Sequence, residues 1–361
     1  MQISATDKEF EQAENLREKS EYAKALALYK KALRGYRRVR EEQGALHCLL
    51  AIGDVCRMTG DFGPAEKSYA EAEAVAQTSG NRVAAADAQL NRGLSLRGMG
   101  DWKSALRLSR QALRLYRKNE DRHAIAFTLW ATAGALRIKG DIPGAIRAYQ
   151  ESREIFSMLR IRPATGYCLC GLGGVHRIAG LFADSLKYYR SANRLFSAIN
   201  DRFGAAYSHC GIGNALRMLG RYQEGLESFA RASSIYRKIG DRVSYAYTLW
   251  SIGTTYKMLG SYTQALRHFK MAEKFFIRTK DPRGIIYCRL GFGEVAMLQG
   301  KKAVAKKYFE TSVEEAGRFG FRVEGCHAGM LLSYLAGRRR TGCYRKLGLK
   351  LDLSRAPFNI P

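Results

Sequence analysis

Residues 241–280 read DRVSYAYTLWSIGTTYKMLGSYTQALRHFKMAEKFFIRTK, and this stretch decides the fold. Asp241 suits an N-cap, where a carboxylate accepts from the free N–H groups of a first helical turn. Tyr245, Leu249, Ile252, Tyr256 and Leu259 then recur at steps of three and four, the spacing of one helix face. Gly260 ends that helix, because glycine takes positive φ without steric cost. Ala265, Leu266, Phe269, Ala272 and Phe276 form the stripe of a second helix. The forty residues thus predict two antiparallel helices joined by a tight turn. Gly253 sits inside the first helix, where it costs roughly 1 kcal/mol against alanine. It therefore marks a close contact, expected under Tyr262, with Ala265 and Ala272 under the next unit.

The same unit recurs along most of the chain. Turn glycines stand forty residues apart at Gly60, Gly100, Gly140, Gly180, Gly220, Gly260 and Gly300. An aromatic column reads Tyr29, Tyr69, Ser109, Tyr149, Tyr189, Phe229, Phe269 and Phe309, and a small-residue column reads Gly53, Gly93, Ala133, Gly173, Gly213, Gly253 and Gly293. A fixed period of this length means one supersecondary unit stacked many times, each burying its apolar face on its neighbours. The expectation is all-α: an extension over residues 1–5, eight hairpins over 6–319, a capping helix over 320–337 and a basic tail over 338–361. Leu347, Leu349, Leu351, Leu353 and Phe358 predict that the tail docks back on the repeats as an extended strip, with a free tail or a ligand for another molecule as alternatives.

The order of small residue, turn glycine, aromatic, alanine, aromatic and alanine resembles the tetratricopeptide repeat. The signature Trp and Pro of its 34-residue form are absent. The forty-residue step, with Asp-Arg opening first helices at Asp121-Arg122 and Asp201-Arg202, resembles Pins-type cell-polarity adaptors. The resemblance implies a right-handed superhelical solenoid whose first helices line a concave groove, and a scaffold that holds peptide segments of partners. Some tetratricopeptide domains clamp a C-terminal carboxylate with Lys and Asn; Phe10, Glu14, Leu50 and Asp54 stand at those positions here, so chaperone-tail binding is not expected.

The formal net charge of +27 favours anionic partners. No apolar run approaches the twenty residues of a membrane span, and the charged start is unlike a secretory signal. Eight cysteines in a chain of this length do not read as a disulfide framework and are expected to pack in the core of a cytoplasmic protein. No zinc set, phosphate loop or nucleophile motif is found; GLGGVHRIAG and GIGNALRMLG lie within helices, without the preceding strand a phosphate loop needs. No cofactor, no metal and no catalysis are expected.

A basic ladder marks the candidate site. Four residues after each small-column position come Arg17, Arg57, Arg97, Arg137, Arg177, Arg217 and Lys257. Helices about 8–10 Å apart would space the cations by that distance. Glu21, Asp61, Asp101 and Asp141 stand four residues beyond the first four rungs and are expected to pair with them, leaving Arg177, Arg217 and Lys257 for an anionic partner. Tyr167, Tyr207, Tyr247 and Tyr287 accompany the free rungs, together with Trp130, Trp250 and Asn214. Tyrosine, tryptophan and arginine are common interface anchors; alternatively the tyrosines stack between adjacent first helices. The expected partner-binding set is Trp130, Arg137, Tyr167, Arg177, Tyr207, Asn214, Arg217, Tyr247, Trp250, Lys257 and Tyr287. The first functional reading is an adaptor for an acidic peptide segment of a protein partner. RNA or single-stranded DNA binding is the second, and a ligand- or peptide-sensing regulator the third.

Overall fold

The computed structural model describes residues 4–19, 21–338, 340–351, 353 and 356–361. Among these, every regular element is a helix, and there are eighteen. The chain divides into two compact units: Met1–Ala124 with Ile239–Asp241, and Ile125–Lys238 with Arg242–Pro361.

The first unit is a stack of hairpins, α1 (Ala5–Glu18) with α2 (Tyr22–Arg38), α3 (Glu42–Met58) with α4 (Phe62–Thr78), and α5 (Arg82–Gly98) with α6 (Trp102–Lys118). The second contains most of α7 (Arg122–Lys139), then α8 (Ile142–Met158), α9 (Arg162–Ala179) and α10 (Phe182–Ala198). It continues with α11 (Arg202–Met218), α12 (Tyr222–Ile239), α13 (Arg242–Met258), α14 (Tyr262–Thr279), α15 (Pro282–Leu298) and α16 (Lys302–Phe319). The ninth first-helix position is taken by α17 (Arg322–Leu335), and a short α18 (Gly342–Lys346) opens the tail. In this unit α9 packs on α11, α11 on α13, α13 on α15 and α15 on α17, so the first helices form one inner row.

Glycine sets the packing distance. A Cβ at Gly253 would come within 2.7 Å of the Phe269 ring, and one at Gly291 in the next hairpin would do the same. Phe269 is therefore gripped between two glycines, its own hairpin's and the next one's. Tyr189 lies in the same way between Gly173 and Gly211. Gly253 thus opposes Phe269 and not Tyr262, because the ring sixteen residues on reaches back across the hairpin. The turn glycines do close the first helices in the left-handed region, as at Gly180 with φ 87°.

Within the second unit, the inner row brings its first and last members together. A Cβ on Gly140, just past α7, would lie 3.0 Å from the Cβ of Arg322 at the start of α17.

Candidate functional site

The first two rungs of the basic ladder share one set of local partners. In α1, Arg17 reaches Glu14 at 2.5 Å and donates from Nε to the Tyr29 hydroxyl at 3.2 Å, while Tyr29 donates to Glu14. In α3, Arg57 meets Asp54 at 3.4 Å, and Tyr69 donates to Asp54 at 2.6 Å. The neutralising carboxylate lies three residues before the rung, on the same helical face. The carboxylates expected to serve, four residues beyond, are used elsewhere. Glu21 takes Lys24 at 2.6 Å, Asp61 accepts from Thr59, and Asp101 and Asp141 cap Ser104 N and Gly144 N at 3.0 Å. Four residues on is already past the helix end, where orphan backbone donors claim Asp101 and Asp141.

The position three before the rung then changes: Leu94, Gly134, Gly174, Asn214 and Thr254. Arg137 accordingly lacks the Asp141 pairing expected for it, and its buried Nε has no hydrogen-bond partner; Arg177 leaves Nε and Nη1 in the same condition. Asn214, held by its Nδ2 on the Cys210 carbonyl at 3.1 Å, accepts from Arg217 Nη2 at 3.2 Å. It orients Arg217 and does not project into open space.

Arg217 and Lys257 hold the chain's own tail. Arg217 is completely buried. Its guanidinium donates to the Asn359 side-chain oxygen and, at 3.0 Å, to the Ile360 carbonyl, while the Asn359 amide donates back to the Arg217 carbonyl at 2.8 Å. Burial, and then the neighbouring charge of Arg177, press the Arg217 pKa down to about 9, which leaves it charged at neutral pH. Lys257, 2% exposed, donates to the Phe358 carbonyl and to Glu294, both at 2.6 Å. Glu294 also accepts from the Phe358 N–H at 2.5 Å. Lys257 is thus already neutralised, contrary to the expectation that it waits for a partner's acid. Glu294 is the site residue that the sequence reading missed. It sits three before Met297, the position where the ladder breaks, which is the same register as Glu14 and Asp54.

The aromatic residues mostly tie helix to helix. Tyr167 and Tyr247 donate to Asp201 and Asp281 at 2.9 and 2.8 Å, and those aspartates use their other oxygens to cap Gly204 N and Gly284 N. Tyr287 donates to Glu324 at 2.9 Å, beside the Arg283–Glu324 ion pair at 2.6 Å. Tyr207 stacks on Phe203 within α11, and Trp130 on Phe127 within α7. Tyr167, Tyr247 and Tyr287 thus fix the spacing between helices, the second of the two roles open to the tyrosines. Trp250 does both: its Nε1 donates to the Tyr287 carbonyl at 3.1 Å, and its ring lies under Arg217 and lines a small pocket with Thr254, Leu290 and Ile360.

The rest of the tail follows the inner row. Tyr344 in α18 contacts His327 Nδ1 at 2.8 Å, the Lys350 N–H donates to the Ala179 carbonyl at 2.8 Å, and Phe358 meets Tyr334 edge-on. Leu347, Leu349, Leu353, Phe358 and Ile360 are all buried; burial of such side chains stabilises by about 1.5–3 kcal/mol each. The docking expected from the leucines is observed, and the short helix α18 opens the tail before them. Ser354 and Arg355 lie outside the described residues.

At Gly180 a Cβ would come within 1.8 Å of the Lys350 carbonyl oxygen. Gly180→Ala should therefore lift the tail from α9, with about 1–2 kcal/mol of left-handed backbone strain added. Limited proteolysis should cut residues 342–361 early in this variant and late in the parent; equal rates would show that the tail contact at α9 is dispensable.

Among the described residues, no helix is long and apolar enough to cross a membrane, and no three His, Cys, Asp or Glu side chains converge as metal ligands. The tetratricopeptide repeat profile matches residues 8–78, 84–158 and 202–278. No curated protein matches the chain. Similar solved structures include a Rap protein complexed with competence and sporulation factor, at 14% identity and TM-score 0.62, over 95% of this chain and 98% of that one. Another is the Rap conjugation gene regulator of plasmid pLS20 in complex with the Phr* peptide, at 14% identity and TM-score 0.66, over 78% of this chain and 76% of that one. A third is the apo form of the quorum sensor NprR from B. thuringiensis, at 13% identity and TM-score 0.50, over 75% and 87%. At such identities the likeness is one of fold. The likeness to Pins-type adaptors gains no support from these comparisons.

Proposed function

The chain belongs to the tetratricopeptide repeat family, and from that premise we propose that it is a non-catalytic, peptide-sensing regulator whose second unit holds an extended peptide along its inner row. The observation that carries this reading is the mode in which residues 358–360 are bound. Arg217 from α11, Lys257 from α13 and Glu294 from α15 take up the carbonyls of Ile360 and Phe358 and the N–H of Phe358. Side chains from three successive first helices thus read the main chain of residues 358–360, while a pocket at Trp250 and Leu290 takes an aliphatic side chain. Such a groove suits any extended segment with an Asn between two apolar residues. The tail occupies it in cis, and a peptide in trans competes. Two of the similar structures are described as complexes with a competence and sporulation factor and with a Phr* peptide, which fits the same reading.

Nucleic-acid binding loses its stacking argument, since Tyr167, Tyr247 and Tyr287 pack against Phe196, Phe276 and Trp250 with their hydroxyls committed. A labelled synthetic peptide of residues 342–361 provides the test, by fluorescence anisotropy on the full-length protein. A tethered occupant lowers apparent affinity for a free one, so Phe358→Ala with Asn359→Ala in the protein should raise peptide affinity about tenfold. Asn359→Ala in the peptide should reverse that gain. Identical affinities across these combinations would reject the groove as a peptide site.

A further inference from the structure

The first unit shows what a complete rung looks like, and the second unit shows two that lack one component. At Arg57 the set is Asp54, Arg57 and Tyr69: carboxylate, guanidinium and phenol in mutual hydrogen bonds. At the equivalent positions one hundred and twenty residues on, the set is Gly174, Arg177 and Tyr189. The cation and the phenol remain, and the carboxylate has been reduced to a hydrogen atom. Its place is not refilled by another acid. A Cβ on Gly174 would find only the Tyr189 hydroxyl at 3.2 Å and Arg137 Nη1 at 4.0 Å. Arg137, whose own acid position is Gly134, therefore reaches the same space from α7. Arg177 Nε and Nη1 and Arg137 Nε are buried without hydrogen-bond partners. Unpaired guanidinium nitrogens out of water are unfavourable, and two like charges side by side add to it. Both guanidinium charges reach the Tyr189 phenol, whose pKa is nevertheless pushed up by burial.

We propose that Arg137, Arg177 and Tyr189 form a site for one oxyanion, and that the anion is an acidic side chain of the peptide held in this groove. The proposal rests on the peptide-sensing reading and adds to it the charge of the ligand. The anion takes the place that Asp54 fills in its own hairpin. Planar, two-point contact of guanidinium with carboxylate is the geometry that arginine favours. The site lies near the path of a groove occupant: Arg177 is two residues before Ala179, whose carbonyl receives the Lys350 N–H.

The structure itself supplies the decisive variant. Gly174→Asp restores the complete set in cis, beside the Tyr189 hydroxyl and the end of the Arg137 side chain and clear of backbone. With the full-length protein, replacing chloride by inorganic phosphate at constant ionic strength should raise the melting temperature saturably. Gly174→Asp should melt higher from the outset and show no phosphate response. In the second arm, peptides of residues 342–361 carry Glu or Gln in turn at 349–352. At least one Glu peptide should bind the parent protein about tenfold more tightly than its Gln twin, and that preference should vanish in Gly174→Asp. A phosphate response that is absent, or identical in the two proteins, overturns the site. A Glu preference that survives Gly174→Asp overturns its place. A phosphate response abolished by Gly174→Asp, with no peptide bound at all, assigns the site to a free oxyanion and removes the peptide reading, so the two fail separately.

Discussion

Glu294→Ala is expected to destabilise the second unit by about 3–5 kcal/mol, the usual loss when one partner of a buried ion pair is removed. Glu294 is 1% exposed and Lys257 2%, so neither charge has water to fall back on. Among the described residues, truncation strands the Lys257 ammonium with the Phe358 carbonyl as its one remaining acceptor and leaves the Phe358 N–H without one. Burial already presses the Lys257 pKa down, with Glu294 opposing that shift; without the acid, the lysine would tend to lose its proton. Glu294→Leu with Lys257→Met should recover most of the stability, since replacing both partners by apolar groups of similar volume is often neutral. It should not recover the tail, which still lacks its main-chain partners. Denaturant midpoints by circular dichroism read the first quantity and proteolysis of residues 342–361 the second. A double variant that restores both would mean that the pair serves stability alone.

Acidification is the second large effect, and it acts through His327. This ring is completely buried, contacts the Tyr344 hydroxyl through Nδ1 and leaves Nε2 without a partner. Burial dominates its titration; Arg283 and Arg177 add to the depression and Glu324 opposes it, for a pKa lowered to about 4. An unfolded histidine protonates near 6.5. Between those values the unfolded state binds more protons, so stability rises with pH and is lost as pH falls from about 6.5 towards 4. The full loss below pH 4 is of order 3 kcal/mol. Burial raises the pKa of Glu324, yet the Arg283 guanidinium carries it below the ordinary carboxylate value, so its own contribution is lost only in stronger acid. The tail anchored at Tyr344 should therefore loosen between pH 6 and 5. His327→Gln should flatten the stability profile in that window; an unchanged slope would mean that the ring is protonated in the folded protein.

The hairpins were legible because their causes are periodic. Gly260 recurs as Gly220 and Gly180, and the Phe269 column recurs every forty residues, so one unit explains the rest. The ladder was legible for the same reason, but the neutralisation of Arg17 and Arg57 was sought on the wrong side of each. Glu14 and Asp54 are one helical turn before their rungs and share a face with them; Asp101 and Asp141 are past the helix end, where capping claims them. Tyrosines at 167 and 247 carry no mark of whether they face a ligand or an aspartate thirty-four residues on, although Asp201 and Asp281 do keep that register. Asn359 on Arg217 spans 142 residues and belongs to no period, so only coordinates could bring it to the site.

Where Gly140 meets Arg322, the inner row of the second unit returns to its own beginning, and the tail runs past α9, α11, α13, α15 and α17 on the way. A segment laid along that row meets five helices in turn, so its length decides how many of them it can engage.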